Sequence, residues 1–154
     1  MDERPPYEEY AVIMGAFFGG LAATGLLARA LGREPREHDA LDLLTLVAAN
    51  FKAARTLAHD EVTSFLREPF VQGYAHEGGE EPEHGGMRQA VGELVTCTRC
   101  IGTWTAAGLA ATQVLWPRFG RILTWTLSAA GVNDFLQAAF VAIAEKANEI
   151  EART

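Results

Sequence analysis

The chain has 154 residues, the length of one ordinary domain, so a single domain is the expectation. Its 49% hydrophobic residues, 21% charged residues and net charge of −7 exclude a disordered acidic tail, a collagen-like chain and a basic nucleic-acid binder. The mean hydropathy of +0.03 leaves a membrane protein open, because it averages very unlike segments.

The first ten residues, MDERPPYEEY, carry five acids or bases netting −3. A secretory signal begins with a positive region, so the next run reads as an uncleaved anchor. That run, Ala11 to Ala28, is eighteen residues without a charge. A helix rising 1.5 Å per residue needs roughly 20 residues to cross a hydrocarbon core of roughly 30 Å, and a spanning helix is expected over about 10–31. Gly15, Gly19 and Ala23 fall on one face at four-residue intervals, the pattern that lets helix backbones approach in lipid.

The next helix, over 39–59, has a different pattern. Asp39, Asp42, Thr45, Lys52, Thr56 and His59 form a polar stripe, with Leu41, Leu44, Ala48, Phe51, Ala54 and Ala58 opposite. It holds only nine uncharged residues in a row, Leu43 to Phe51, too few for a free-standing span. Its polar stripe therefore either packs against other helices or lies at the interface, and packing is the preferred reading.

Asp60 to Glu93 holds eight acidic residues against Arg67 and Arg88, or −6 of the total −7, and six of the fifteen glycines. Within it, Gly78 to Gly86 is a Gly/Glu/His stretch without apolar residues for packing, and a flexible solvated acidic loop is expected over about 72–86. Two further uncharged runs follow, Cys100 to Trp116 and Ile122 to Ala144, the second interrupted only by Asp134. They predict helices over 97–116 and 121–147. Trp104, Trp116 and Trp125 lie in or beside these runs, where amphipathic rings often mark the membrane interface. An aspartate near a helix centre in lipid costs about 2.5–3.5 kcal/mol, so Asp134 is expected to face the bundle and contact the Lys52, Arg55, His59 face. The basic residues divide almost evenly between the two ends of such a bundle and leave its orientation open.

The only cysteines are Cys97 and Cys100, in ELVTCTRCIGTW. At a helix start the free N–H groups and helix dipole stabilise a thiolate, and Arg99 lies between the two. Three uses remain open: a redox pair with Cys97 as attacking thiol, half of a metal site completed by His59, His76 or His84, or a structural pair. The histidines lack the regular spacing of a Cys2His2 site, and no metal is assigned. Four-helix membrane thiol oxidoreductases place such a pair beside a bound quinone but commonly use a second cysteine pair, which this chain lacks. No phosphate loop, His-Glu-x-x-His, serine elbow or basic aromatic stripe is present.

The segment from Arg55 through His59, Asp60, Val62, Thr63, Arg67 and Pro69 to Phe70, followed by Glu93-Leu94-x-x-Cys97-x-x-Cys100-x-Gly102-x-Trp104, resembles the bacterial domain of unknown function 1360 family. The likeness covers roughly Leu41 to Ala142 and includes Ala130-Gly131-x-x-Asp134. It implies a small multi-helix membrane protein without an assigned activity. Thr98 stands where family members often have proline, and the N-terminal helix is an addition that points to a partner of its own. Read on its own, the element lets Asp60 cap the turn after the second helix, Thr63 bond to nearby backbone and Pro69 end a short helix. Arg55 and Arg67 are expected to pair with Asp60 or Asp134.

Together these features predict an all-α integral membrane protein of about four helices in the cell membrane. The expected function is a non-enzymatic structural or assembly component. A membrane thiol-disulfide oxidoreductase using Cys97 and Cys100 is the alternative, and a soluble helical interaction module the third reading. Lipid and other membrane or membrane-associated proteins, or a second copy of the chain, are the expected partners, without nucleic acid. No cofactor is expected unless the redox alternative holds, when a quinone is. Arg55, His59, Asp60, Thr63, Arg67, Pro69, Trp104 and Asp134 are the candidate structural or interaction residues.

Overall fold

The computed structural model describes residues 5–33, 37, 39–74 and 79–151. Six α-helices are present among them: α1 (Tyr7–Ala30), α2 (Ala40–His59), α3 (Ser64–Arg67), α4 (Gly86–Thr96), α5 (Thr98–Leu115) and α6 (Pro117–Glu151). The expectation of about four helices is corrected to four long helices and two shorter ones. α3 is the short helix that Pro69 was expected to end, and α4 was missed because it has no long uncharged run.

Local chemistry sets the ends. Asp39 caps α2 with a reciprocal box, accepting the Asp42 N–H at 2.7 Å while Asp42 accepts the Asp39 N–H at 3.4 Å. Gly32, at φ 61°, ends α1 in the left-handed region, where the Arg33 N–H returns to the Ala28 carbonyl at 2.8 Å. Pro117 opens α6, a position where proline loses no needed donor, so this helix starts before the expected residue 121. At 35 residues α6 is about 52 Å long, and its end beyond Ala144 carries Glu145, Lys146, Glu149 and Glu151.

The long helices alternate in direction, so the end of α1, the start of α2 and the α5–α6 turn share one end of the bundle. α2 is central, packing most broadly on α6 and next on α5. Small residues permit this approach. A Cβ on Gly131 would stand 2.7 Å from the Ala48 carbonyl oxygen, and one on Gly120 would stand 2.6 Å from the Gln113 backbone. By contrast, Gly15, Gly19 and Gly20 of α1 have no atom within 4 Å of an added Cβ. Among the described residues, nothing packs against the Gly15 and Gly19 face of α1.

Between α2 and α4 the backbone makes 3-10 turns at Glu61–Thr63 and Glu68–Phe70 on either side of α3. Strand β1 (Val71–Gln72) then pairs antiparallel with β2 (Glu81–Pro82). The expectation of a solvated loop over 72–86 is corrected at these positions: a ladder pins both flanks, and Glu80 is buried beside it. Residues 75–78 lie outside the described residues. A Cβ on Gly92 would collide with the Phe70 carbonyl oxygen, so α4 lies against this turn through a bare backbone.

α1 and α6 are long and apolar enough to cross a membrane, and only 6% of the apolar window in each is buried. α2 and α5 do not pass the same test of length and composition.

Candidate functional site

The sequence element from Arg55 to Phe70 folds into a knot of polar contacts centred on Arg67. Its side chain is 1% exposed and that of Glu80 is 8% exposed. The guanidinium grips Glu80 through Nε at 2.5 Å and Nη2 at 3.2 Å, a two-pronged pairing. Nη1 donates to the Leu57 carbonyl at 2.8 Å and to Thr63 Oγ1 at 2.9 Å. Both terminal nitrogens reach the Asp60 carbonyl at 3.2 Å. Arg67 thus ties the end of α2 to α3 and to Glu80 just before β2, with no buried side-chain polar atom left unbonded among the described residues.

The expected pairing of Arg67 with Asp60 or Asp134 is corrected: its carboxylate partner is Glu80, and Asp60 serves it through the main-chain oxygen. The reason is reach. Asp60 ends α2 in extended backbone, and its carboxylate turns back to accept from Thr56 Oγ1 at 2.7 Å. It caps no following turn by side chain, contrary to expectation. Thr63 Oγ1 donates to the carbonyls of Thr56 and Asp60, which is the local backbone bonding expected of it. Pro69 lies in the 3-10 turn that follows α3. Arg55 is exposed and takes no part in the knot.

A second polar contact joins α2 to α6. Lys52 Nζ donates to Asp134 Oδ2 at 2.9 Å and lies 4.0 Å from Asp60 Oδ2. Gly131 sets it up: its bare backbone rests on Ala48, and one turn further along both helices Asp134 meets Lys52. Phe51 and Phe135 stack beside the pair at 4.9 Å. Asp134 therefore faces the Lys52 side of α2, whereas Arg55 and His59 stand apart from it.

The cysteines occupy the break between α4 and α5. Cys97 is extended and caps α5, its sulfur accepting the Cys100 N–H at 3.3 Å, while the Cys100 thiol points to Cys97 Sγ at 2.7 Å. These bonds from Cys100, with the Arg99 N–H and charge, hold the Cys97 thiol below its ordinary pKa. Thr98 takes the first helical position, which tolerates proline, and its hydroxyl shares a 2.8 Å hydrogen bond with His59 Nε2. No group of three His, Cys, Asp or Glu is placed to hold a metal among the described residues, and His76 lies outside them.

Trp104 of α5 packs edge-on against Phe17 of α1 at 5.2 Å, and the Tyr10 hydroxyl donates to Glu93 of α4. These two contacts fasten α1 to the rest of the chain. Glu80 escaped the sequence reading, and Glu93 entered it only as part of the motif, without the Tyr10 contact. Arg67 had many carboxylates to choose from in the sequence, Glu61 and Glu68 beside it and four glutamates within residues 77–83, and nothing local singled out Glu80.

A family profile described as "Protein of unknown function (DUF1360)" matches residues 45–140. The chain is 26% identical to UPF0713 protein YngL of Bacillus subtilis (strain 168) over 101 residues, 64% of this chain and 78% of YngL. It is 29% identical over 109 residues to Sporulation protein YjcA of the same organism, 63% of this chain and 88% of YjcA. No solved structure matches. The matched region takes in the Arg67 knot, the Lys52–Asp134 contact and both cysteines, and leaves out α1.

Proposed function

The chain belongs to the DUF1360 family of proteins of unknown function, and we propose that it is a multi-pass protein of the cell membrane, acting as a non-enzymatic structural or assembly component. The observation that carries this reading is the outward apolar surface of α1 and α6, each only 6% buried over a window of spanning length. Phe18, Ile122, Phe140 and Ile143 are all more than half exposed on these helices. Apolar surface of that extent is costly in water and matched by lipid. α2 and α5 complete the bundle, with Lys52 and Asp134 half-buried and paired between α2 and α6.

The polar residues support a structural role. Arg67 spends its donors on Glu80, Thr63 and the Leu57 and Asp60 carbonyls, which is the bonding of a structural latch. The open face of Gly15 and Gly19 offers close approach to a helix of another membrane protein or of a second copy. Affinity purification of the tagged full chain in mild detergent tests the reading. A membrane protein or a second copy in fixed ratio is expected, and a chain that purifies alone as a monomer counts against it. The relative YjcA is named a sporulation protein, so spore formation after expression in a Bacillus subtilis strain lacking YjcA is the first process to score.

A second reading rests on the Cys97–Cys100 contact. Oxidation of the two thiols to a disulfide releases two electrons and two protons, which a membrane quinone would accept to become a quinol. Unchanged function in a Cys97→Ala/Cys100→Ala variant ends that reading. A mixed disulfide trapped in Cys100→Ala supports it.

A further inference from the structure

One end of the bundle holds a cleft of about 530 Å³ between the ends of α1 and α5 and the starts of α2 and α6. Arg33 and Arg121 line it together with Thr45, Gln113, Thr124 and Trp125. Among the described residues neither guanidinium has a carboxylate partner. Asp42, the acidic residue in the lining, is held in the cap of α2. Thr124, 3% exposed, forms the floor and accepts the Gln113 amide at 2.9 Å. The Gly32 turn fixes the Arg33 backbone at the rim.

A second groove, about 520 Å³, opens from this cleft and shares Gly32, Arg33 and Val114 with it. It runs back along α1 past Arg29 and Ala28 to Gly25, Thr24 and Leu21, where apolar surface predominates. A Cβ on Gly25 would meet nothing within 4 Å, so the groove is open at its middle. A cationic cleft continuous with an apolar groove has the form of an amphiphile, a phosphate with a hydrocarbon chain attached.

We infer that this end of the molecule binds an anionic phospholipid, with its phosphate between Arg33 and Arg121 and an acyl chain along the α1 groove. The lipid source rests on the membrane reading above, whereas the anion cleft does not. Inorganic phosphate supplies the same headgroup chemistry without the chain.

The test uses the full chain in detergent and in vesicles of phosphatidylcholine with or without phosphatidylglycerol. Retained lipid is read by native mass spectrometry, and inorganic phosphate binding by Trp fluorescence. Wild type is expected to retain phosphatidylglycerol. Arg33→Gln/Arg121→Gln should bind it about thirtyfold more weakly, while Arg33→Lys/Arg121→Lys keeps most binding and shows that the site tolerates change. Arg88→Gln, away from the cleft, should match wild type. Gly25→Leu fills the groove and should lose phosphatidylglycerol but still bind phosphate. Equal lipid retention by wild type and Arg33→Gln/Arg121→Gln overturns the site. Phosphate binding without lipid retention keeps the anion cleft, assigns it to free phosphate and overturns the groove. Release of the chain from membranes by alkaline carbonate is the separate outcome that overturns the membrane reading.

Discussion

Removing the Glu80 carboxylate is the perturbation to which the fold is most exposed. In Glu80→Ala, Arg67 keeps its bonds to Leu57, Asp60 and Thr63 but loses both bonds to a carboxylate, and a side chain only 1% exposed retains its charge. Breaking a buried pair from one side costs about 3–5 kcal/mol, which for a chain of this size lowers the melting temperature on the order of 10 °C. Glu80→Gln, which still accepts a hydrogen bond, should fall between. Arg67→Met/Glu80→Met removes both charges and their desolvation cost but leaves the Leu57 and Asp60 carbonyls without the guanidinium, so it should recover only part of the loss. Thermal unfolding of the purified full chain in detergent, followed by circular dichroism, reads all three. A Glu80→Ala loss under about 1 kcal/mol, the range of a solvent-exposed pair, refutes the buried latch.

The other contacts make smaller claims. Asp134→Ala leaves Lys52 without its 2.9 Å partner and should cost about 1–2 kcal/mol in the same melt, with Asp134→Asn milder; no change would detach this pair from the α2–α6 contact. Gly131→Leu pushes a side chain into the Ala48 carbonyl and should cost about 1–3 kcal/mol, whereas Gly19→Leu, with open space, should leave the isolated chain unaffected and weaken only association with another helix. Because the Cys97 pKa is lowered, its thiolate persists below the ordinary thiol range, and iodoacetamide labelling mapped to Cys97 should rise at a pH below that of a free thiol. Cys100→Ala removes the leading cause and should move that rise upward; a wild-type midpoint at or above the ordinary value would contradict the geometry.

The sequence carried the long helices because their signals are physical and local. Uncharged runs marked α1, α5 and α6, and the polar and apolar stripes of α2 marked a helix that packs. Asp134 was legible as an inward residue because lipid makes its exposure costly. α4 was not legible, since it draws its place from Gly92 meeting Phe70, a contact far apart in sequence. Glu80 was lost for a related reason: a Gly/Glu/His stretch looks solvated until a buried arginine selects one of its carboxylates. The basic cleft was invisible too, because Arg33 and Arg121 converge only once four helix ends are brought together.

Extraction of membranes with alkaline carbonate measures the central claim most directly. If α1 and α6 cross the bilayer, the tagged full chain stays in the membrane pellet and is released only by detergent. Release into the carbonate supernatant, or a clean monomer in buffer without detergent, would show that their exposed apolar faces are covered by something other than lipid.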